Sequence, residues 1–327
     1  MFGKLWKTLK FFLIIGIVLI CLPHSILPRQ TTDIKKDELE RYIKLNDSES
    51  RLSEFKDNEE SLKIKLKQLE IINNNRKKYN ADPVKLDILA SRVANKMSKE
   101  AAENNFLGHW NLAGEKPYHR YAFAGGYDHV SENAFGEWST DNYDISSANI
   151  SSMMKAGHGT FMAEKTPYDG HKKNITGKSH NFVGIGYCLY GKQFRYYEEF
   201  IDRYFEFENI PSEVSTDEQF SITVKTSGTN YLYYLVAYRE DFPQPMKPSQ
   251  INKQGSYADF TEEQYIRLPA WDLAGFRSGS VYKIPLKFSK IGLYYIQIYS
   301  DRNEIKGSGS VNTDGKTPYS GIVIKVR

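Results

Sequence analysis

Gly170-His171-Lys172-Lys173-Asn174-Ile175 is the stretch from which the fold of this chain is read. Downstream, Val183-Gly184-Ile185-Gly186-Tyr187 is an apolar run of strand type. Upstream lie three further short contexts: Gly108-His109-Trp110, Ser131-Glu132-Asn133-Ala134 and Phe161-Met162-Ala163-Glu164. Together they supply two imidazoles, His109 and His171, and two carboxylates, Glu132 and Glu164, from separate segments. A cleft that binds a divalent metal or moves a proton needs such a set.

Working outward, the 327 residues exceed the size at which one core stops growing, so two domains are expected. Hydrophobic residues make up 40% and charged residues 26%, an ordinary globular composition. With 44 basic and 40 acidic residues and no dense basic stripe, nucleic acid is not an expected partner.

Lys4, Lys7 and Lys10 precede an apolar run from Phe11 to Leu22, ended by Pro23. Residues 1–28 therefore read as a signal peptide or an uncleaved signal anchor, with residues 11–27 as the possible membrane tether. Both versions place the rest of the chain outside the cytoplasm. Of two cysteines, Cys21 lies in the apolar run and Cys188 in an expected buried strand, so the folded part has no internal disulfide. Cys188 reads as a small core residue, not a nucleophile. Asn46, Asn149 and Asn174 head glycosylation sequons.

Residues 29–68 are strongly charged and read as a solvated helical stalk. Leu45, Leu52 and Leu66, with Phe55, Leu62 and Leu69, sketch a weak heptad seam that Ser48 and Glu59 interrupt. A helix starts at Leu69, and Asp82-Pro83 breaks it. The next covers Leu86–Lys99 with Leu86, Leu89, Ala90, Val93, Ala94 and Met97 on one face. A third helix spans Ser151–Glu164, and two aromatic-rich strands meet at Gly191-Lys192. Helices followed by paired strands suggest an α+β layered domain over residues 69–207. From residue 208 to 327 short alternating strands, such as Phe220–Val224, predict an all-β sandwich of immunoglobulin-like kind.

The segment from Leu69 to about Phe205 resembles the CAP superfamily, also called the SCP or pathogenesis-related-1-like domain. The resemblance rests on several pieces in order. They are Ile72-Asn73-x-x-Arg76, the Leu86–Ala94 helix, Gly108-His109, Pro117-Tyr118-His119-Arg120, Ser131-Glu132-Asn133-Ala134, Phe161-x-x-Glu164, Gly170-His171-x-x-Asn174-Ile175 and the Val183–Tyr187 strand. It implies a three-layer α-β-α sandwich with a cleft lined by His109, Glu132, Glu164 and His171. The chain departs from the family pattern in having Gly108 for Ser, Ser131 for Gly and Phe161 for Trp. The C-terminal sandwich lies outside the resemblance.

For function, His109 and His171 are the expected metal ligands, with zinc held loosely for want of a third strong ligand. Glu132 and Glu164 are the candidate catalytic groups, as general base or water-orienting carboxylates. No nucleophile elbow, phosphate loop or reactive Cys context accompanies them, which points away from an enzyme. The resemblance implies a lipid, sterol or partner-binding module; a metal-dependent hydrolase is the alternative. Trp110, Tyr118, Tyr121 and Phe123 are read as core in preference to a sterol groove. His158, between Gly157 and Gly159, reads as a flexible loop position. The sandwich, with Trp271 and surface tyrosines, suits an adhesion module for a protein or carbohydrate at a cell surface. Deleting residues 208–327 is expected to spare the cleft.

Overall fold

The computed structural model describes residues 36–227, 230–257, 263–305 and 307–327. The apolar run of residues 11–27 and Cys21 lie outside the described residues. Among those described, no helix is long and apolar enough to cross a membrane.

Helices begin where the sequence supplies a cap. Asn58 accepts the Ser61 N–H at 2.8 Å to start α2 (Glu59–Lys78), after α1 (Lys36–Ser48). Asp87 accepts the Ala90 N–H at 2.7 Å and starts α3 (Ile88–Glu103), just past the short β1 (Lys85–Leu86). Then follow α4 (Pro117–Phe123), β2 (His129–Trp138), α5 (Ser147–Ala163), α6 (Gly170–Ile175), β3 (Phe182–Tyr190) and β4 (Gln193–Asp202). The four strands form one sheet in the order β1-β3-β4-β2.

Period-two alternation along β4 decides the layers. Phe194, Tyr196 and Phe200 point to a core shared with α1, α2 and α5, while Tyr197 and Ile201 belong to clusters on the α3 and α4 side. The α-β-α sandwich expected from the sequence is thus present. The apolar face foreseen on α3 is buried, and Gly184 and Gly186 let it lie close to β3. A Cβ at those positions would come within 2.4 Å of Ala90 and 2.1 Å of Ala94 backbone carbon.

Of the expected stalk, the described residues 36–68 are not solvated on all sides. α1 and α2 are built into the domain, with Tyr42, Leu62, Leu66, Leu69 and Ile72 in the same core as Val183 and Phe200. Of the leucines that suggested a heptad seam, Leu62, Leu66 and Leu69 enter this core, while Leu45 is exposed. Leu52, in the left-handed region at φ 48°, breaks any continuous helix. Asp57 pairs with the buried Lys65 at 2.6 Å, and Arg92 donates to the Asn46, Glu49 and Arg51 carbonyls. Asn46 is 2% exposed and donates to the Asp57 carbonyl, so its sequon is closed to glycosylation.

The β-rich region starts earlier than residue 208. β5 (Phe205–Glu208) already belongs to it, followed by β6 (Glu213–Val214), β7 (Gln219–Thr226), β8 (Tyr231–Glu240), α7 (Pro248–Ile251), β9 (Gln264–Pro269), α8 (Ala270–Ala274), β10 (Arg277–Ser278), β11 (Val281–Lys287), β12 (Gly292–Asp301) and β13 (Ile322–Val326). Two sheets, β10-β11-β7-β5 and β6-β13-β12-β8-β9, enclose one core that includes Ile222, Ile284, Leu235, Ile296 and Ile324. Clean alternation fails on β12, where Leu293 through Tyr299 are all buried. A strand covered on both faces loses the polar half of its pattern. Its second face meets α3 and α4: Tyr295 stacks on Tyr118 with ring centroids 4.1 Å apart, amid Leu89, Val93, Tyr121 and Val130. The described residues from 36 to 327 accordingly form one compact unit in place of two separable halves.

Candidate functional site

The four motif residues come together as two His–carboxylate pairs. His109, on the loop after α3, places Nδ1 2.8 Å from Glu132 Oε1, and Glu132 stands on β2. His171, in the first turn of α6, places Nδ1 2.5 Å from Glu164 Oε1 at the end of α5. Both imidazoles line a single cleft of about 660 Å³ with Glu132, Ser131, Asn133 and Asn174. Glu164 is not on the lining and sits behind His171.

Each carboxylate is fully engaged. Glu132 gives its second oxygen to a short hydrogen bond from Arg120, whose guanidinium also donates to the His109 carbonyl at 2.6 Å. Burial pushes the Glu132 carboxyl up, but the Arg120 charge and the His109 hydrogen bond outweigh it and hold the group below its usual range. Glu164 spends its second oxygen on the backbone N–H groups of His171 and Lys172, at 3.0 and 3.3 Å. Phe161, in the place where the family pattern has Trp, stacks on the His171 ring at 4.6 Å between centroids.

Beneath the cleft the two motif asparagines bind one another. Asn174 donates to Asn133 Oδ1 at 3.0 Å and accepts from the Ser131 hydroxyl at 2.6 Å, while Asn133 donates to Glu198 at 3.1 Å. The amide of Asn174 is committed on both sides, so this sequon is tied to the cleft, as its motif position suggested. His158 is not in a flexible loop: it lies inside α5, 1% exposed, with Nδ1 2.7 Å from Glu198. Gly157 keeps the helix there because a Cβ would strike the Phe135 ring at 2.7 Å.

The sequence reading missed Glu198 and Glu199, adjacent on β4 and therefore on opposite faces of the sheet. Glu199 faces Glu132 across the β2–β4 ladder and lies 3.7 Å from Arg120, outside hydrogen-bond range. Burial and then the Glu132 charge raise its carboxyl well above the usual range. The only prior signal was a pair of acids inside an otherwise aromatic strand. Cys188, expected in the core, is only partly buried on β3, and burial pushes its thiol up to about 11. Tyr118 and Tyr121 are core residues, and Trp110 and Phe123 pack partly buried against core clusters.

One wall of the cleft comes from the β-rich region. The connection between β8 and β9 crosses to the first sheet and contributes Asn252, Gln254, Gly255, Ser256 and Tyr257 to the lining. It is anchored by Ile251, buried among Met97, Ala101, Phe106 and Tyr197, and by Asn252, which accepts the Leu107 N–H at 2.8 Å. Gly108, where the family pattern has Ser, leaves room for it: a Cβ would meet Ile251 Cγ2 at 2.9 Å. The Tyr257 ring lies 4.8 Å from that of His109. Deleting residues 208–327 would remove this wall, so the expectation that the deletion spares the cleft is corrected.

Zinc was expected on His109 and His171. With Nδ1 tied to a carboxylate, each ring keeps Nε2 for a ligand, as metal-binding histidines do. Among the described residues no three His, Cys, Asp or Glu side chains gather as a metal set. Two imidazoles alone do not make a closed structural site.

With this geometry in hand, residues 69–201 match the model of the cysteine-rich secretory protein family, CAP, and this segment of the chain is a CAP domain. Among solved structures, the chain is similar to an extracellular protein containing an SCP domain from Bacillus anthracis, at 20% identity and a TM-score of 0.32, over 42% of this chain and 39% of that one. It is also similar to an outer surface protein from Borrelia burgdorferi, at 17% identity and a TM-score of 0.33, over 41% of this chain and 89% of that one. No curated protein matches.

Proposed function

We propose that the CAP domain is a non-enzymatic binding module that receives a polar ligand between His109 and His171. The observation that carries this is the occupancy of the two carboxylates. Glu132 is held by His109 and Arg120, and Glu164 by His171 and two backbone amides. A general base is poised on the proton it takes, whereas every oxygen of these two glutamates already accepts a hydrogen bond from the protein. The Ser131 hydroxyl donates to an amide, not to a base.

The lining sets many hydrogen-bonding side chains among apolar surface. Ser131, Asn133, Asn174, Asn252, Gln254 and Ser256 outnumber the aliphatic Leu107 and Ala134, which suits a hydrophilic ligand better than a lipid or sterol. Loose zinc binding by His109 and His171 belongs to the same proposal. So does an extracytoplasmic location, supported by the lysines and apolar run of residues 4–27. Surface attachment through Trp271 and the β-rich region is a further role for that half.

A metal-dependent hydrolase using Glu132 is the competing reading. Ester and peptide hydrolysis assayed with added zinc separates the two. No turnover above the uncatalysed rate is expected, and zinc-dependent turnover abolished by Glu132→Gln would overturn the binding-module reading. Zinc titration of wild type against a His109→Ala/His171→Ala double variant checks the metal, and equal affinity would remove it from the proposal.

A further inference from the structure

β2 is the outermost strand of its sheet, so β4 satisfies only one of its two edges. Ser131, Glu132, Asn133 and Ala134 all line the cleft. Side chains of consecutive strand residues point to opposite faces, so what these four share in the cleft is their backbone edge. The Glu132 N–H confirms the direction: it points away from β4 and donates to the Tyr257 hydroxyl at 2.9 Å. In an antiparallel pair the outward groups recur every second residue, which turns the N–H and C=O of Ala134 the same way.

An open strand edge is a template for pairing, and proteins ordinarily cover or blunt it. Here it lies inside a cleft, and the phenol oxygen of Tyr257 sits where the carbonyl of a neighbouring strand would accept. Asn252 and Gln254 also line the cleft, and Asn252 keeps its side-chain N–H groups while its oxygen accepts from Leu107. These can pair with the outer edge of an inserted backbone.

We propose that the cleft is a docking site for an extended peptide segment of a partner protein, which adds to β2 as a further strand and displaces the Tyr257 hydroxyl from the Glu132 N–H. The proposal rests on the binding-module reading and names its ligand class. Main-chain hydrogen bonds to Glu132 and Ala134 supply affinity, and alternate side chains of the peptide supply selectivity. Tyr257 is then a built-in competitor for one rung of the ladder.

The test uses the full chain and a displayed library of linear octapeptides, with enriched sequences resynthesised. Saturable binding is expected, weakened at least about tenfold when the amides of every second residue are N-methylated in one register and little changed in the other. Tyr257→Phe, which keeps the ring and removes the competing oxygen, is expected to tighten binding by about three- to tenfold. The Glu132 and Ala134 amides should exchange more slowly with solvent in the complex. No enriched peptide, or binding indifferent to N-methylation in both registers, would overturn the proposal. A glycan that binds the cleft and is lost with His109→Ala would also sink it, while leaving the binding-module reading intact.

Discussion

The two His–carboxylate pairs of the cleft are chemically alike and physically unlike. In the first, the His109 side chain is 13% exposed and Glu132 is fully buried. In the second, His171 is 35% and Glu164 21% exposed. Water solvates the second pair directly, so its attraction is screened and its loss is tolerable. The first has only Arg120 and His109 to replace the water it lost. The same residue types serve as a buried electrostatic keystone on β2 and as a surface clasp between α5 and α6.

Removing Arg120 should expose that difference most. Arg120→Met leaves Glu132 in a dry site without its counter-ion, at an expected cost of about 3–5 kcal/mol in guanidinium unfolding at neutral pH. The corresponding change at the solvated pair, Glu164→Gln, is expected to cost about 1 kcal/mol or less. Equal losses would break the comparison.

A smaller effect is expected from the imidazoles. His109→Ala removes a hydrogen bond to a buried charge, worth about 1.5–3 kcal/mol. His171→Ala removes a partly exposed hydrogen bond and should lie within about 1 kcal/mol of wild type. Unfolding midpoints of the two variants, measured side by side, order the pairs. His171 costing more than His109 would reverse the assignment.

The subtlest contrast is between Glu132 and its cross-strand neighbour. Glu132 is held below the usual carboxylate range, so its contribution is complete above that range and is lost as pH falls through the folded value. Glu199 is raised, so the folded state keeps a proton that the unfolded state gives up. That costs stability as pH climbs past the ordinary Glu range. Glu199→Gln should therefore leave stability near pH 4 unchanged and raise it at pH 8. Destabilisation at pH 8 would show instead that Glu199 is ionised and needed as such.

The tetrad was legible because each residue travels with local neighbours that reappear as structure: Glu164 caps the turn that carries His171, and Asn174 reaches Ser131 and Asn133. The order of helix and strand patterns gave an α+β layered domain, and the three layers came with the family resemblance. Other features depend on contacts between residues far apart in sequence. Arg120 meets Glu199, His158 meets Glu198, and Tyr257 reaches Glu132. The charge of residues 36–68 disguised their role, because the buried face itself carries Asn46, Lys65 and Gln68 beside Tyr42, Leu62, Ile64 and Leu66.

By itself the sequence determined which residues carry the chemistry, since imidazoles, carboxylates and amides announce themselves by type and by short-range spacing. It also determined the helix faces and strand alternation, which are local consequences of where apolar side chains fall. Tertiary structure alone decided what those residues are free to do. Arg120 and the backbone amides occupy the oxygens of both glutamates, and a connection from the β-rich region closes one wall of the cleft. Burial and desolvation act through contacts in space, and a linear pattern carries no record of which distant residue will supply them.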